Sequence, residues 1–161
     1  MIYYEASKQL EAFILAMAPP FEACVDAPST YEELCKELDT HKPGGIEPVR
    51  VYSGGCYDTI FSEPKVNHAL RAWHDLTHYN ESLGFGLSDE IQVANMQVLD
   101  AEALAEEYDL TETDINVLWY ELAGQRMYYD IHNEYVIEQN RFIANCVAFG
   151  LDETLESGEV F

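Results

Sequence analysis

Residues 67–78 read NHALRAWHDLTH, and this stretch predicts an amphipathic helix. At about 100° per residue, Ala69, Trp73 and Leu76 mark one side of that helix, while histidine, aspartate and arginine side chains gather on the other. Three of the chain's five histidines fall within the segment. The polar face is therefore built from groups used in metal and phosphate chemistry, whereas an ordinary solvated face carries lysine and glutamate.

The spacing of two of these histidines predicts a metal site. His74 and His78 are four residues apart, so they lie on one face of a helix and can share a small cation. Asp75 follows the first histidine, and Arg71 lies one turn before it. Paired histidines also cap helices, pack or sit in water, so the spacing by itself leaves those interpretations open.

Two later helices direct acids toward the core. Glu90 lies within the apolar stripe of a helix that starts at Ser88, and Glu121 lies within the stripe of a helix that opens at Thr111 or Thr113. A carboxylate that faces a core is costly unless it is paired or bound to a metal. Helical bundles surround cations in this way. The alternative is a buried polar network, and the first-turn position of Glu90 is also favoured by the helix dipole.

The sequence thus predicts a centre that holds a divalent cation, Mn, Fe, Zn or Mg, between four ligands. The simplest chemistry for such a cation is hydrolysis of a phosphorylated small molecule, because a bound metal activates water and polarises a phosphoryl oxygen. Arg71 suits a phosphate group, and its alternative role is a salt bridge to a neighbouring acid. Arg126 and Asp130 are expected on the solvent side. The predicted ligands are His74, His78, Glu90 and Glu121, the catalytic residues are Asp75 and Arg71, and the groups that orient the ligands are Gln97, Gln125, His132 and His68.

Hydrophobic periodicity predicts an all-α fold, a single compact bundle of about five to six helices. One irregular loop region, about residues 41–63, contains the β-favouring run Val49–Tyr52. Residues 1–150 are expected to form one helical domain, and residues 151–161 an acidic, flexible tail. The predicted helices cover residues 2–18, 30–40, 64–79, 88–108, 113–129 and 134–149.

The charge of the chain excludes some partners. Thirty Asp and Glu against eight Lys and Arg give a formal net charge of -22, which repels nucleic acid and anionic membranes. No run is long enough to span a bilayer, no signal peptide is recognisable, and the four cysteines lack metal-site spacing, so we expect a soluble cytoplasmic protein with reduced thiols. A second function stays open: an acidic, non-enzymatic interaction protein that imitates DNA and binds a basic protein.

Several segments together resemble a family of uncharacterised proteins encoded by tailed bacteriophages. The segments are RAWHDLTH at residues 71–78, then Glu90, then ELAGQ at residues 121–125. The family has an R-x-W-H-D-x-x-H segment followed by an acidic helix position and an E-x-x-G-Q segment, and the resemblance covers roughly residues 50–143. It implies a phage origin and the cytoplasm of the host, and it implies no particular reaction.

A weaker resemblance is to the HD-domain phosphohydrolases, which are all-helical. These proteins hold a divalent metal with an upstream histidine, an adjacent His-Asp pair on a helix and a distant aspartate. The resemblance implies a phosphohydrolase reaction. In this chain the pair is His74-Asp75, and the outer ligands are His41 or His68 before it and Asp114 or Asp130 after it.

Overall fold

The computed structural model describes residues 2–161, most of which are helical. None of the helices in this range is both long and apolar enough to cross a bilayer. The elements in chain order are α1 Lys8–Met17, β1 Phe21–Cys24, α2 Tyr31–Leu38, β2 Val49–Tyr52, α3 Pro64–Glu81, α4 Leu87–Ala103, α5 Ala105–Tyr108, α6 Glu112–Trp119, a π-helical turn Tyr120–Gly124, α7 Gln125–His132, α8 Gln139–Phe149 and α9 Leu151–Glu156.

Helix α3 is the central element of the fold, since α1, α2, α4 and both strands contact it. Its apolar side is buried as the sequence predicts: Ala69 and Ala72 are fully buried and Trp73 nearly so. The Trp73 ring makes an edge contact with Phe13 of α1, with ring centroids 5.5 Å apart. Burial of such aromatic side chains contributes a large share of core stability. The packing fixes which face of α3 is left for the polar side chains.

A two-stranded parallel sheet corrects the all-α prediction. Strand β1 pairs with β2 in the register Phe21↔Val49 to Cys24↔Tyr52, and α2 forms part of the crossover between them. In β2 the side chains of Val49 and Val51 are buried, as expected for a β-branched run with alternating burial. The loop predicted for residues 41–63 therefore contains a strand, and the fold is mostly helical instead of strictly all-α.

The helices α6 and α7 are joined by a π-helical turn that the periodicity does not predict. Helix α6 begins as expected after Thr111, whose hydroxyl and backbone form a capping box with Asp114. The five residues Tyr120–Gly124 then widen the helix before α7 continues it to His132. Because a π turn pairs residue i with residue i+5, it changes which later side chains share a face with Glu121.

The C-terminal segment, predicted to be a flexible tail from residue 151, contains a short helix and packs on the core. Residues Leu151–Glu156 form α9, and Thr154 is buried. Phe161 is also buried, and its backbone N–H donates to the Tyr128 hydroxyl at 3.2 Å. The tail is held because its few apolar side chains pack on the core, although its acids face solvent.

Three helix boundaries differ from the predicted ones by about five residues or more. Helix α1 begins at Lys8, since the Ser7 hydroxyl accepts a hydrogen bond from the Leu10 N–H at 3.0 Å. The predicted helix 88–108 is interrupted at Leu104, and α8 begins at Gln139 instead of residue 134. Before α8, the left-handed conformation of Asn133 ends α7.

The turn between α8 and α9 provides a test of the docked tail. Gly150 has φ +95°, and a Cβ there would lie 2.9 Å from the Glu153 Oε2 atom. We expect Gly150→Ala to lower the free energy of unfolding by about 1–3 kcal/mol, measured by denaturant titration. The control is Gly86→Ala, with φ -67° and no atom within 4 Å of the new Cβ, which should cost less because it loses only the preference for Gly over Ala at an N-cap. Equal stability of the two variants would contradict the strained turn.

Candidate metal centre

Two helices bring the candidate ligands together. His74 and His78 lie on successive turns of α3, and Glu90 lies in the first turn of α4. Between them Ser82 adopts a left-handed conformation that ends α3, and Gly86 caps the start of α4. This short connection reverses the direction of the chain, so that the start of α4 packs beside the last turns of α3.

The three side chains converge on one point. The Glu90 Oε2 atom lies 2.8 Å from His74 Nε2 and 3.2 Å from His78 Nε2. The two Nε2 atoms are 3.1 Å apart. His78 is fully buried, and the side chains of His74 and Glu90 are 16% and 15% exposed. A single small cation could contact all three residues.

The remaining ring nitrogens fix the orientation of both imidazoles. His78 Nδ1–H donates to the backbone carbonyl of Leu83 at 2.9 Å, and His74 Nδ1–H donates to Gln97 Oε1 at 2.6 Å. A carbonyl oxygen only accepts, so a neutral His78 carries its proton on Nδ1 and a lone pair on Nε2. Lone pairs therefore point at each other and at a carboxylate. The repulsion between these lone pairs is removed when a proton or a metal ion lies between the two Nε2 atoms and the Glu90 carboxylate.

The electrostatics of the cluster follow from burial and from these contacts. Burial raises the pKa of Glu90, but its hydrogen bonds to His74 and His78 outweigh that effect and lower the pKa to about 2. Burial lowers the pKa of His74, but Glu90 outweighs it, so the His74 pKa is raised. Glu90 is therefore an anion at neutral pH, and positive charge is favoured beside it.

Asp75 adds a second acid next to the cluster. Burial raises its pKa to about 6, against the lowering effect of the His74 and His78 rings. None of the side-chain hydrogen bonds in the described chain involves its carboxylate, and it does not line the neighbouring cavity. Glu90 and Asp75 together carry the two negative charges that would balance a divalent cation.

Glu121, the fourth predicted ligand, lies outside the converging group. Its Oε2 atom accepts a hydrogen bond from Gln125 Nε2 at 3.0 Å, while its Oε1 atom is buried without a partner. Burial raises the pKa of Glu121 to about 8, and the nearby Arg71 lowers it less. Glu121 and its partner line the cavity beside the cluster. Gln125, one of the groups predicted to orient the ligands, therefore contacts Glu121.

Arg71 is held by the loop that follows β2. Its Nη1 donates to the carbonyls of Tyr52 and Gly54, the latter at 2.7 Å, and its Nη2 donates to that of Gly55 at 3.2 Å. None of the ion pairs between described residues includes Arg71, so the alternative salt bridge to Asp75 or Glu90 is not formed. Its charge is solvated by carbonyl dipoles and is left without a counter-ion contact.

The two other predicted orienting groups do not contact the cluster. His68 interacts with the backbone of Ser53, and burial lowers the pKa of its imidazole. His132 lies against the Tyr128 ring, with centroids 4.2 Å apart. Asp114, offered by the HD resemblance, accepts from Ser7 Oγ at 2.7 Å and caps α6. Of the four groups predicted to orient the ligands, Gln97 is the one that touches a ligand of this cluster.

A cavity of about 770 Å³ opens beside the cluster. His74 and Glu90 line it, whereas His78 lies behind them. The Leu83 carbonyl and the Phe85 ring, whose centroid is 5.0 Å from that of His78, complete the enclosed side. The sequence did not predict the Leu83 carbonyl as a partner, because every residue type has the same backbone acceptor. A bound cation would therefore be enclosed on one side and open to the cavity on the other.

Comparison of the chain with protein-family models, with curated proteins and with solved structures finds no match. The two family resemblances therefore stay predictions, and the candidate site must be argued from its own geometry.

The contact between Gln97 and His74 leads to a prediction. Gln97 is fully buried, and groups that orient a metal-binding histidine typically contribute 10- to 100-fold in affinity. We expect Gln97→Leu to weaken zinc binding by about that factor, measured by titration against a competing chelator. Gln92→Leu, on the exposed side of α4, is the control and should bind zinc like the parent chain. An unchanged affinity in Gln97→Leu would show that the contact does not support the ligand.

Proposed function

We propose that the protein is a metal-dependent hydrolase whose metal ion is bound by His74 Nε2, His78 Nε2 and the Glu90 carboxylate. The observation that carries the proposal is the pair of outer hydrogen bonds, from His78 to the Leu83 carbonyl and from His74 to Gln97. Histidines that ligate metals donate their other ring N–H to an acceptor in this way. His74, His78 and Glu90 thus direct two nitrogen lone pairs and one carboxylate to a single point.

The donor set narrows the choice of metal. Two imidazoles and one carboxylate suit Zn, Fe or Mn, while Mg prefers oxygen ligands alone. No cysteine belongs to the group of possible ligands found in the described chain, which disfavours metals that need thiolates. Zinc sites with three protein ligands keep a position for water or substrate, and such sites are typically catalytic.

The chemistry proposed is attack of an activated water on a phosphate ester. A bound metal would lower the pKa of its water and polarise a phosphoryl oxygen, so that the water oxygen bonds to phosphorus while the ester P–O bond breaks and the alcohol leaves. The protein would contribute the cavity that His74 and Glu90 line, and the half-buried Asp75 carboxylate, which does not line that cavity, would add negative charge beside the ligands. Arg71 lines the same cavity without an ion pair to any described acid, and a guanidinium favours a phosphate there.

Hydrolysis of an amide or carboxylic ester is a second candidate. Two histidines with one glutamate form the ligand set of several zinc peptidases. In those enzymes an acid next to a ligand histidine acts as general base. The arrangement of His74, Asp75 and His78 on one helix fits that description. Matched phosphate-ester and peptide substrates separate the two candidates.

Elemental analysis of the purified, untagged protein tests the proposal first. We expect about one equivalent of a transition metal in the parent chain and much less in His74→Ala, with the fold of each checked by circular dichroism. The parent chain, loaded with Zn, Mn or Fe, is then assayed on phosphate monoesters and on peptides. A folded parent chain that retains none of these metals and does not bind them when they are added would contradict the proposed function.

A further inference from the structure

The cavity beside the metal cluster has two chemically different walls. One wall is polar and includes Asn67, Glu121, Gln125 and Arg126 in addition to the cluster residues. The rest of the lining, called the apolar wall below, is apolar and aromatic. It is formed mainly by Leu70, Leu122, Tyr129, Tyr135, Val136 and Ile137.

Three residues of the polar wall carry buried polar atoms that have no hydrogen-bond partner among residues 2–161. These atoms are Asn67 Oδ1, Glu121 Oε1 and Arg126 Nη1, and Asn67 as a whole is only 4% exposed. An unpaired buried polar atom destabilises a fold by about 1–3 kcal/mol. These three residues line the cavity, and a ligand that accepts from the arginine and donates to the oxygens would satisfy the polar atoms once the side chains turn toward it.

Arg126 reaches this wall because of the π-helical turn. In a regular α-helix, a residue five positions after Glu121 lies about 140° around the helix from it. The π turn Tyr120–Gly124 brings positions i and i+5 to the same side, which places Arg126 beside Glu121 in the cavity lining. The solvent-facing position predicted for Arg126 is therefore wrong. π turns are frequent at functional sites for this reason.

The charge of Arg126 is only weakly balanced. Its Nη1 atom lies 4.0 Å from Asp130 Oδ1, at the limit of an ion pair, and that aspartate is half exposed. The guanidinium carbon lies 5.3 Å from the centroid of the Tyr129 ring, which orients the group without neutralising it. In a chain with 30 acids and eight basic side chains, an arginine kept from close ion pairing inside a cavity points to an anionic ligand.

The apolar wall is exposed at the mouth of the cavity. Tyr135 and Ile137 are 76% and 78% exposed, and the Tyr135 ring packs against Tyr129 with centroids 4.6 Å apart. Aromatic rings in this position can cover the flat body of a small molecule. A volume of about 770 Å³ also lies in the range of pockets that hold small organic ligands.

We propose that this cavity binds a small organic anion with an aromatic body. Its phosphate or carboxylate group contacts Arg126, a donor group contacts Asn67 or Glu121, and the ring packs on Tyr129 and Ile137. The inference rests on the proposed function only for the reaction that such a ligand would undergo, because none of these contacts needs the metal ion.

Calorimetric titration of the full chain with phenyl phosphate, benzoate and inorganic phosphate tests the proposal. Each probe is added to chelator-treated protein and to zinc-loaded protein. Arg126→Gln should weaken phenyl phosphate binding about tenfold or more, since it removes a charge-assisted contact. Lys65→Gln, which removes the same charge at an exposed position outside the cavity, should not change the affinity.

The aromatic wall has its own matched pair of variants. Ile137→Ser should weaken phenyl phosphate several-fold and leave any binding of inorganic phosphate unchanged. Ile131→Ser, an exposed isoleucine that does not line the cavity, is the control and should match the parent chain. Tighter binding of phenyl phosphate than of benzoate identifies phosphate as the anionic group, and the reverse order identifies a carboxylate.

Two outcomes would overturn the proposal. One is a folded parent chain that binds neither aromatic probe in either metal state. The other is binding that Arg126→Gln and Ile137→Ser leave unchanged. If the aromatic probes bind as expected while elemental analysis and zinc titration find no metal, the cavity inference stands and the proposed metal-dependent hydrolase fails.

Discussion

Replacing Glu90 with glutamine is expected to reduce zinc affinity by at least about 100-fold. The substitution keeps the size of the side chain and removes the single negative charge that both His74 Nε2 and His78 Nε2 approach, at 2.8 and 3.2 Å. A neutral amide oxygen is a much weaker ligand for a divalent cation than a carboxylate. Competition titration against a chelator measures the affinity, and the thermal shift on adding zinc should shrink in parallel.

A second glutamate of the same helix provides the control. Glu102 lies exposed near the end of α4, and Glu102→Gln removes the same charge from the protein. We expect its zinc affinity to match that of the parent chain. If the two variants lose affinity equally, the effect belongs to the overall negative charge, and a specific centre at Glu90 is contradicted.

Replacing Glu121 with glutamine is expected to stabilise the protein at alkaline pH. Burial raises the pKa of this carboxyl to about 8, whereas in the unfolded chain it has its ordinary value near 4.5. The folded state therefore binds the Glu121 proton more tightly than the unfolded state does. The resulting contribution to the free energy of unfolding is present below pH 4.5 and is lost as pH rises toward 8. At pH 9 the variant should be more stable by on the order of a few kcal/mol, and at pH 5 the two should differ little.

The measurement is the free energy of unfolding at several pH values in chelator-treated protein. Glutamine can keep the acceptor that Gln125 Nε2 uses at 3.0 Å, so packing is preserved. Glu134→Gln, at an exposed position, is the control and should show no comparable gain. If the stability difference between Glu121→Gln and the parent chain does not change with pH, the carboxyl is not held neutral by burial.

The candidate ligands on α3 and α4 could be predicted from the sequence because each has a strong local signal. The four-residue spacing of His74 and His78 fixes their common face, and the apolar neighbours of Glu90 indicate that it points inward. The converging distances among the three side chains agree with that prediction. The orientation of His78 depends on the Leu83 carbonyl, which no residue pattern predicts.

The surroundings of Glu121 could not be predicted, since a helical wheel assumes one constant period. Packing is close at the π turn: a Cβ on Gly124 would lie 3.1 Å from Leu151 Cδ1 and 3.4 Å from Phe142 Cε1. Helices α8 and α9 thus approach the turn closely at this glycine. The turn moves Arg126 from the expected solvent side into the cavity.

Strand β1 and the docked tail were missed for a related reason. Phe21–Cys24 is only four residues long and lacks alternating burial, so its pairing with β2 depends on a partner distant in the chain. Phe161 is held by Tyr128 and lies near Phe142, which are equally remote in sequence. The hydrophobic periodicity of a sequence indicates local secondary structure and gives no information on contacts between residues that are far apart in the chain.

The most direct test of the metal centre is diffraction from zinc-loaded crystals at the zinc absorption edge. We expect one anomalous peak about 2.0–2.2 Å from His74 Nε2, His78 Nε2 and a Glu90 carboxylate oxygen, facing the cavity. We also expect the peak to be absent in Glu90→Gln crystals. No zinc peak at these three side chains, in crystals soaked with zinc at a concentration that saturates ordinary sites, would contradict the centre.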